Sequence, residues 1–338
     1  AATIGSLALA LTLTIDNGEA WAQEKKIRLR IADALPAGHY IAEYTTRYWM
    51  EEVTKATGGA VEFEYYPAEQ LGKAKDLLAL TVSGVADIAY VVPSYVSEKM
   101  PLSAVAELPG AFPTSCAGLT AYWKISKDGF LASKEFAPNG VRALFSFVLA
   151  PYQVAVKPKF QQLKDLDGLK LRSIGGAQDI TVRKFNAVPV RMASPEVFES
   201  LSRGTIDGAV FPYSSMVTYN LPVKYVTVGE NFGTAAGHYM ISEARWKTLP
   251  ASVQKAMLDA GDATAKHGCA LFDKDVDLAL EKLKQRQVVP VQLSAEDRRQ
   301  LATALATVAS EWAETLDKRG KPGSEALKAF REALPPAR

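Results

Sequence analysis

Cysteine and histidine are scarce in this 338-residue chain, which has two cysteines, Cys116 and Cys269, and three histidines, His39, His238 and His267. There is no HExxH, no CxxC and no Cys/His cluster, so a zinc site has no ligand set to build on. A Walker A loop, a GxGxxG turn and a GxSxG elbow are also missing, and Gly175-Gly176 alone is too short to cradle a phosphate. No stretch reaches the roughly 18 consecutive apolar positions that a membrane span needs. No block of five or six like charges occurs and the net charge is only +2, which argues against nucleic acid as a partner. These absences leave no catalytic residue, metal or cofactor to name, and the expectation is a binding protein, not an enzyme. The two cysteines lie far apart in the chain and are expected as buried free thiols, the alternative being a disulfide if the compartment is oxidising.

The first 22 residues differ from the rest. Ile4 to Leu13 is mostly apolar, too short to span a bilayer and the right size for the core of a secretion leader, and Ala20-Trp21-Ala22 offers the small-x-small pattern of a signal peptidase. Residues 1–22 are therefore expected to be a partial signal peptide cut before Gln23, which places the mature chain in the periplasm; the alternative is an ordinary N-terminal helix. The remainder, in a chain that is 48% apolar, exceeds what one core usually organises and points to two lobes.

Local patterns give an α/β grammar. Ile27, Leu29 and Ile31 alternate with Arg28 and Arg30, and Val61, Phe63 and Tyr65 alternate with Glu62 and Glu64, the period of half-buried strands. Between them Ile41, Tyr44, Tyr48, Trp49 and Val53 share one helical face, closed by Gly58-Gly59. A second helix over about 73–83 ends in Gly84-Val85-Ala86-Asp87-Ile88-Ala89, and the same punctuation returns as Gly204-Thr205-Ile206-Asp207-Gly208-Ala209. Each copy follows a strand (61–66; 188–192) and a helix, and precedes another apolar strand (88–92; 209–211); Ser194 is the expected N-cap of the second helix, with Pro195 in its first turn. The repeat implies two lobes of related design, unless two glycine stops have coincided. Residues 250–286 contain few breakers and form either one helix long enough to span both lobes or two helices parted near Gly261 or Gly268. Further on, Ser294 and Asp297 resemble a capping box, and Leu301, Leu305, Val308, Trp312 and Leu316 line one helical face as far as Gly320.

One polar residue stands out. Leu169-Lys170-Leu171-Arg172-Ser173-Ile174 is a strand that delivers an arginine just before the glycine pair. An arginine at a strand end beside pliable backbone can offer its planar fork of donors to a carboxylate; the alternative is a surface arginine in a weak ion pair.

At this point the chain resembles a known family, the extracytoplasmic solute receptors of tripartite ATP-independent periplasmic (TRAP) transporters, of the dicarboxylate-binding DctP type. The likeness is carried by Tyr66-Pro67-Ala68-Glu69-Gln70-Leu71-Gly72, the Gly84–Ala89 turn, Leu108-Pro109-Gly110-Ala111-Phe112-Pro113, Asp165-Leu166-Asp167-Gly168-Leu169-Lys170-Leu171-Arg172, Val188-Pro189-Val190, Glu196-Val197-Phe198 and Gly204-Thr205-Ile206-Asp207-Gly208. The resemblance implies an α/β, two-lobed periplasmic binding protein of type II-like plan, with hinge strands and a long lobe-spanning helix. The lobes are expected at 23–148 with 236–277, and at 149–235 with 278–338. It also implies a small organic carboxylate as ligand and TRAP membrane permease subunits as partners. Receptors of ATP-driven importers and sensory systems share the two-lobe plan and are the nearest alternatives; a periplasmic enzyme would need a nucleophile and base, or a metal.

By the same resemblance Arg172 is the carboxylate anchor. Where members that bind sugar acids carry a second arginine this chain has Tyr152; their asparagine is Phe211, and a histidine of some members is Phe232. Rings replacing three polar contacts favour a ligand with one carboxylate on an apolar or aromatic body. The expected ligand-binding residues are Arg172, Tyr152, Phe147, Phe211, Tyr213 and Phe232, with hydroxyl contacts from Ser214, and from the first lobe His39-Tyr40 and Ser94-Tyr95.

Overall fold

The structure is a computed structural model and describes residues 26–336, so the leader expected over 1–22 lies outside the described residues. The alternating segments are strands, as their period requires. Strands β1 (Ile27–Ala32), β2 (Val61–Tyr66), β3 (Ile88–Val91), β4 (Val141–Val148) and β10 (Ala236–Ser242) form one sheet in the order β2-β1-β3-β10-β4. Strands β5 (Gln153–Val156), β6 (Lys170–Ser173), β7 (Val188–Arg191), β8 (Gly208–Phe211), β9 (Tyr225–Thr227) and β11 (Val289–Val291) form the other, in the order β11-β9-β5-β8-β6-β7. In each sheet three parallel strands are followed by an antiparallel one: β2, β1 and β3 against β10, and β7, β6 and β8 against β5.

The sequence repeat has a physical cause. Asp87 accepts the backbone N–H of Arg30 (2.8 Å) while its own N–H donates to the Arg30 carbonyl (3.0 Å), tying the turn to the neighbouring strand. Asp207 makes the same pair with Lys170, both at 2.8 Å. The glycines ahead of them, Gly84 and Gly204, have φ of 76° and 71°, the left-handed backbone that stops a helix at no side-chain cost.

The chain crosses between sheets from β4 to β5 and back from β9 to β10. The crossing segments are zipped together, Leu149 N–H to Ala235 O (3.0 Å) and Tyr152 N–H to Gly233 O (2.8 Å), and the Thr234 hydroxyl donates to Leu149 O (2.8 Å). The third connection is one helix, Ala251–Gln285, of 35 residues, about 52 Å at 1.5 Å per residue. It packs on β4 and the helix Ser115–Lys127 of the first lobe and on the helix Tyr213–Thr218 of the second. Gly261 and Gly268 do not break it. They let backbones approach, since a Cβ at Gly261 would lie 2.1 Å from Leu144 O and one at Gly268 2.8 Å from Thr45 Cγ2.

Three expectations are corrected here. Cys116 and Cys269 are not free thiols but a disulfide, with Cα atoms 4.8 Å apart. The first turn of the helix Ser115–Lys127 abuts the long helix, where Asp273, one turn beyond Cys269, accepts the N–H groups of Ser115 (2.6 Å) and Cys116 (3.1 Å). The apolar face over 301–316 belongs to two helices, Ala295–Leu305 and Val308–Lys318, of which the first is capped by Ser294 accepting Asp297 N–H (3.0 Å) as the sequence implies. Finally, the helix Gly323–Ala333 packs on Ser115–Lys127, so 278–338 does not lie wholly with the second sheet.

Candidate functional site

In sheets with parallel strands, crevices form beyond the carboxyl ends of the strands. Here those ends meet across the cleft. From the first sheet come His39 and Tyr40 after β1 and Ser94 and Tyr95 after β3; from the second come Arg172 near the end of β6, Ser194 after β7 and Phe211 at the end of β8. The close approach is made by the glycine pair. A Cβ on Gly175 would sit 3.2 Å from Ser94 O, and one on Gly176 would sit 2.9 Å from Ser94 Oγ.

Arg172 is fully buried. Its Nε donates to Met192 O (3.2 Å), Nη1 to Val210 O (3.3 Å), and Nη2 to the hydroxyls of Tyr95 and Ser194 (3.3 Å each). The guanidinium carbon lies 4.7 Å from the centroid of the Phe211 ring, a cation–π contact. Every one of these partners is neutral. Glu107 is the acid whose field reaches the arginine, yet burial pushes its carboxyl up to about 8, against the pull of the Ser94 hydroxyl, the Ala236 N–H and Arg172 itself. Near neutral pH Glu107 therefore supplies no full counter-charge. A buried cation without an anion is costly, and this one sits at the meeting of the lobes.

Further contacts span the seam. Tyr95 from the first lobe bonds Ser194 of the second (3.0 Å) and accepts its backbone N–H (3.1 Å). Tyr40 bonds Ser215 (2.9 Å). Outside the arginine, a cleft of about 600 Å³ runs between Glu69, Lys73 and Tyr95 on one side and Ile174, Arg191 and Glu196 on the other. Of the cations that line it, Lys73 pairs with Glu69 (2.7 Å) and Arg191 with Asp179, while Lys75 stands exposed at its edge. Among the described residues no group of His, Cys, Asp and Glu could hold a metal ion, and no helix is long and apolar enough to cross a membrane.

Residues 31–315 match the family of bacterial extracellular solute-binding proteins, family 7. The chain belongs to this family. It is 26% identical over 341 residues to the C4-dicarboxylate-binding periplasmic protein DctP of Rhodobacter capsulatus, covering 98% of this chain and 97% of that one. Among solved structures it resembles a TRAP solute-binding protein from a marine metagenome, specific for aromatic acid ligands and crystallised with 3-hydroxybenzoate. That likeness has 24% identity and a TM-score of 0.83, over 91% of this chain and 98% of the other. It also resembles a TRAP solute-binding protein of Rhodoferax ferrireducens in complex with copurified benzoate, at 23% identity and TM-score 0.82, over 91% and 97%. The two-lobed α/β plan expected from the sequence is thus the fold of these receptors, and the family is one of transport receptors.

The receptor's own geometry sorts the expected site residues. Phe211 lies under Arg172, and Tyr152, on the crossing segment, is buried with its ring 6.2 Å from Phe211. Burial raises the Tyr152 phenol well above its ordinary value, while the Arg172 charge pulls it down. Phe147 stacks on Tyr90 (5.6 Å) and is fully buried behind it. Ser94 donates to Glu107. His39 stacks on Tyr40 (4.7 Å), and burial holds its imidazole down at about 3, hence neutral.

Two others have their contacts elsewhere. The Tyr213 phenol donates to Thr227 O (2.6 Å) inside the second lobe. Phe232 packs edge-on against Phe185 (5.5 Å), with no ring contact to the cluster. Beside Ser214, it is its neighbour Ser215, one helical position on, that meets Tyr40. Ser194, expected to cap a helix, instead spends its hydroxyl on Arg172 and Tyr95. The sequence reading also missed Tyr219, whose ring lies 6.0 Å from Phe211 and 5.3 Å from His39. Its position after the helix Tyr213–Thr218 carries no pattern that distinguishes it from a packing residue.

Proposed function

We propose that this chain is the periplasmic receptor of a TRAP transporter that takes up a small organic acid with one carboxylate on an apolar or aromatic body, and passes it to the membrane permease subunits. The observation that carries this reading is Arg172, a fully buried guanidinium at the lobe seam whose hydrogen-bond partners are all neutral. A carboxylate would complete its charge with two parallel bonds. A second carboxylate would need a second cation beside the arginine, and three that the sequence places near the site do not supply one. Arg142 pairs with Glu243 (3.0 Å) and lies over Trp246, Lys157 donates to Leu201 O (2.9 Å), and Arg183 is exposed. The aromatic-acid ligands of the two structural relatives support the same choice, while the name of the Rhodobacter protein supports a dicarboxylate. The apolar leader expected over 1–22 and the extracellular family support export. The lobes would close about the crossing segments 149–152 and 228–235, with the helix Gly323–Ala333 riding on the first lobe.

A thermal-shift screen over organic acids, followed by calorimetry, tests the proposal, because a ligand that binds only the folded state raises its stability. Arg172→Ala and Arg172→Lys should each weaken binding strongly, about 2–5 kcal/mol for the loss of one member of a buried charge pair, with the fold retained. Lysine keeps the charge but not the fork. Unchanged affinity in Arg172→Ala, or succinate binding far more tightly than benzoate, would overturn it.

A further inference from the structure

We infer that the cleft holds a second, uncharged recognition pole, His39 with Tyr219, that takes a neutral oxygen of the ligand (hydroxyl or carbonyl) at the end remote from its carboxylate; this rests on the monocarboxylate reading above. Two independent orphans point to it. His39 is 1% exposed and its Nε2 is buried with no hydrogen-bond partner, and the Tyr219 hydroxyl is likewise buried and unpartnered. Both would be costly to leave unmade, since a buried polar group without a partner forfeits its hydration for nothing.

The chemistry of the pair is fixed by its surroundings. Ile41 N–H donates to His39 Nδ1 (3.2 Å), so in the neutral ring the proton resides on Nε2 and the orphan is a donor. Tyr219 can donate or accept. Their rings lie 5.3 Å apart, close enough to serve one oxygen together: His39 donates to it, and Tyr219 accepts its proton if it is a hydroxyl or donates if it is a carbonyl. A carboxylate is disfavoured at this pole because burial keeps His39 uncharged.

The pole also has the right place. Stepping from ring to ring, Arg172 sits over Phe211 (4.7 Å), Phe211 neighbours Tyr219 (6.0 Å), and Tyr219 neighbours His39 (5.3 Å). His39 follows β1 of the first lobe and Tyr219 follows the helix Tyr213–Thr218 of the second, beside the Tyr40–Ser215 bond that crosses the same seam. The pole is therefore assembled by closure, as the carboxylate pole is by Tyr95 and Ser194.

Calorimetry of the full mature chain with benzoate, 3-hydroxybenzoate and 4-hydroxybenzoate tests this. One hydroxybenzoate should bind the wild type about tenfold more tightly than benzoate, the scale of one buried hydrogen bond. Tyr219→Phe, which keeps the ring, should bring that ratio close to one, and His39→Gln should reduce it. A wild-type ratio near one for both isomers, with benzoate bound and its binding lost in Arg172→Ala, overturns the inference alone. So does a ratio retained in both variants. Failure of all three acids to bind overturns it together with the aromatic form of the parent reading.

Discussion

At the scale of single residues the site is built from conflicts that a ligand can resolve. Arg172, His39 and the Tyr219 hydroxyl are buried with donors or charge that the protein leaves wholly or partly unanswered. Natural proteins rarely keep such groups for stability, because replacing a buried charge by an apolar side chain of similar size is often neutral or stabilising. Arg172→Met should accordingly abolish carboxylate binding yet leave the ligand-free melting temperature unchanged or higher. A large drop in melting temperature would mean that the arginine holds the fold together and is not chiefly a ligand anchor. Arg172 was legible in the sequence because a strand and a glycine pair present it, and because family motifs surround it. The partners that finish the site were not. Ser194, Ser215 and Tyr219 meet the other lobe or the arginine only through the folded seam, and no local period encodes a contact made between lobes; Tyr95 is within reach of the sequence only because it follows a strand end. Tyr213 and Phe232 read as pocket walls in the sequence, as any ring near a strand end could; the Tyr213 phenol bonds Thr227 O and Phe232 packs on Phe185.

At the scale of elements, the strands and the glycine stops could be read directly because each copy of the repeat is held by its own local bonds, Asp87 to Arg30 and Asp207 to Lys170. The long helix could not be assigned as one piece, since glycine is a poor helix former and its value at 261 and 268 lies in the backbones it admits. The disulfide was hidden for a related reason. Only the docking of the helix Ser115–Lys127 against the long helix brings Cys116 and Cys269 together, a closure across 153 positions. Constraining so long a loop in the unfolded chain typically contributes about 2–5 kcal/mol. Reduction, or the paired Cys116→Ser and Cys269→Ser change, should lower stability by that order in denaturant titrations, with little effect on ligand affinity because neither cysteine lies among the residues around Arg172. Equal stability of oxidised and reduced protein would show that packing and the Asp273 cap already do this work.

At the scale of the whole molecule, burial of ionisable groups predicts how stability follows pH. Three acids are raised chiefly by burial: Asp33 to about 6, Glu135 to about 7 and Glu107 to about 8, from ordinary values of 3.8, 4.5 and 4.5. The folded chain holds these protons more tightly than the unfolded one. Their contribution is therefore full below the unfolded values and is lost as pH rises through the folded ones. His39 and His238 are lowered by burial from 6.5 to about 3, so their contribution is full above 6.5 and is lost as pH falls toward 3. Between about 4.5 and 6.5 the two trends oppose each other. Above 6.5 the histidines no longer change and the acids alone act, so stability should decline from pH 6.5 to 8. Glu107 titrates last and should carry the upper part of that decline. Glutamine at 107 keeps an oxygen that can accept from the Ser94 hydroxyl and cannot ionise, so Glu107→Gln should flatten the slope between pH 7 and 8.5 in thermal melts of the ligand-free protein. Because the Glu107 contribution is lost from its unfolded value upward, the variant should also show a shallower loss from the acids from about pH 4.5, while the slope below about pH 4, where Glu107 is protonated in both states, should be retained. An unaltered slope above pH 7 in the variant would show that Glu107 reaches water when no ligand is bound and ionises as an ordinary carboxyl.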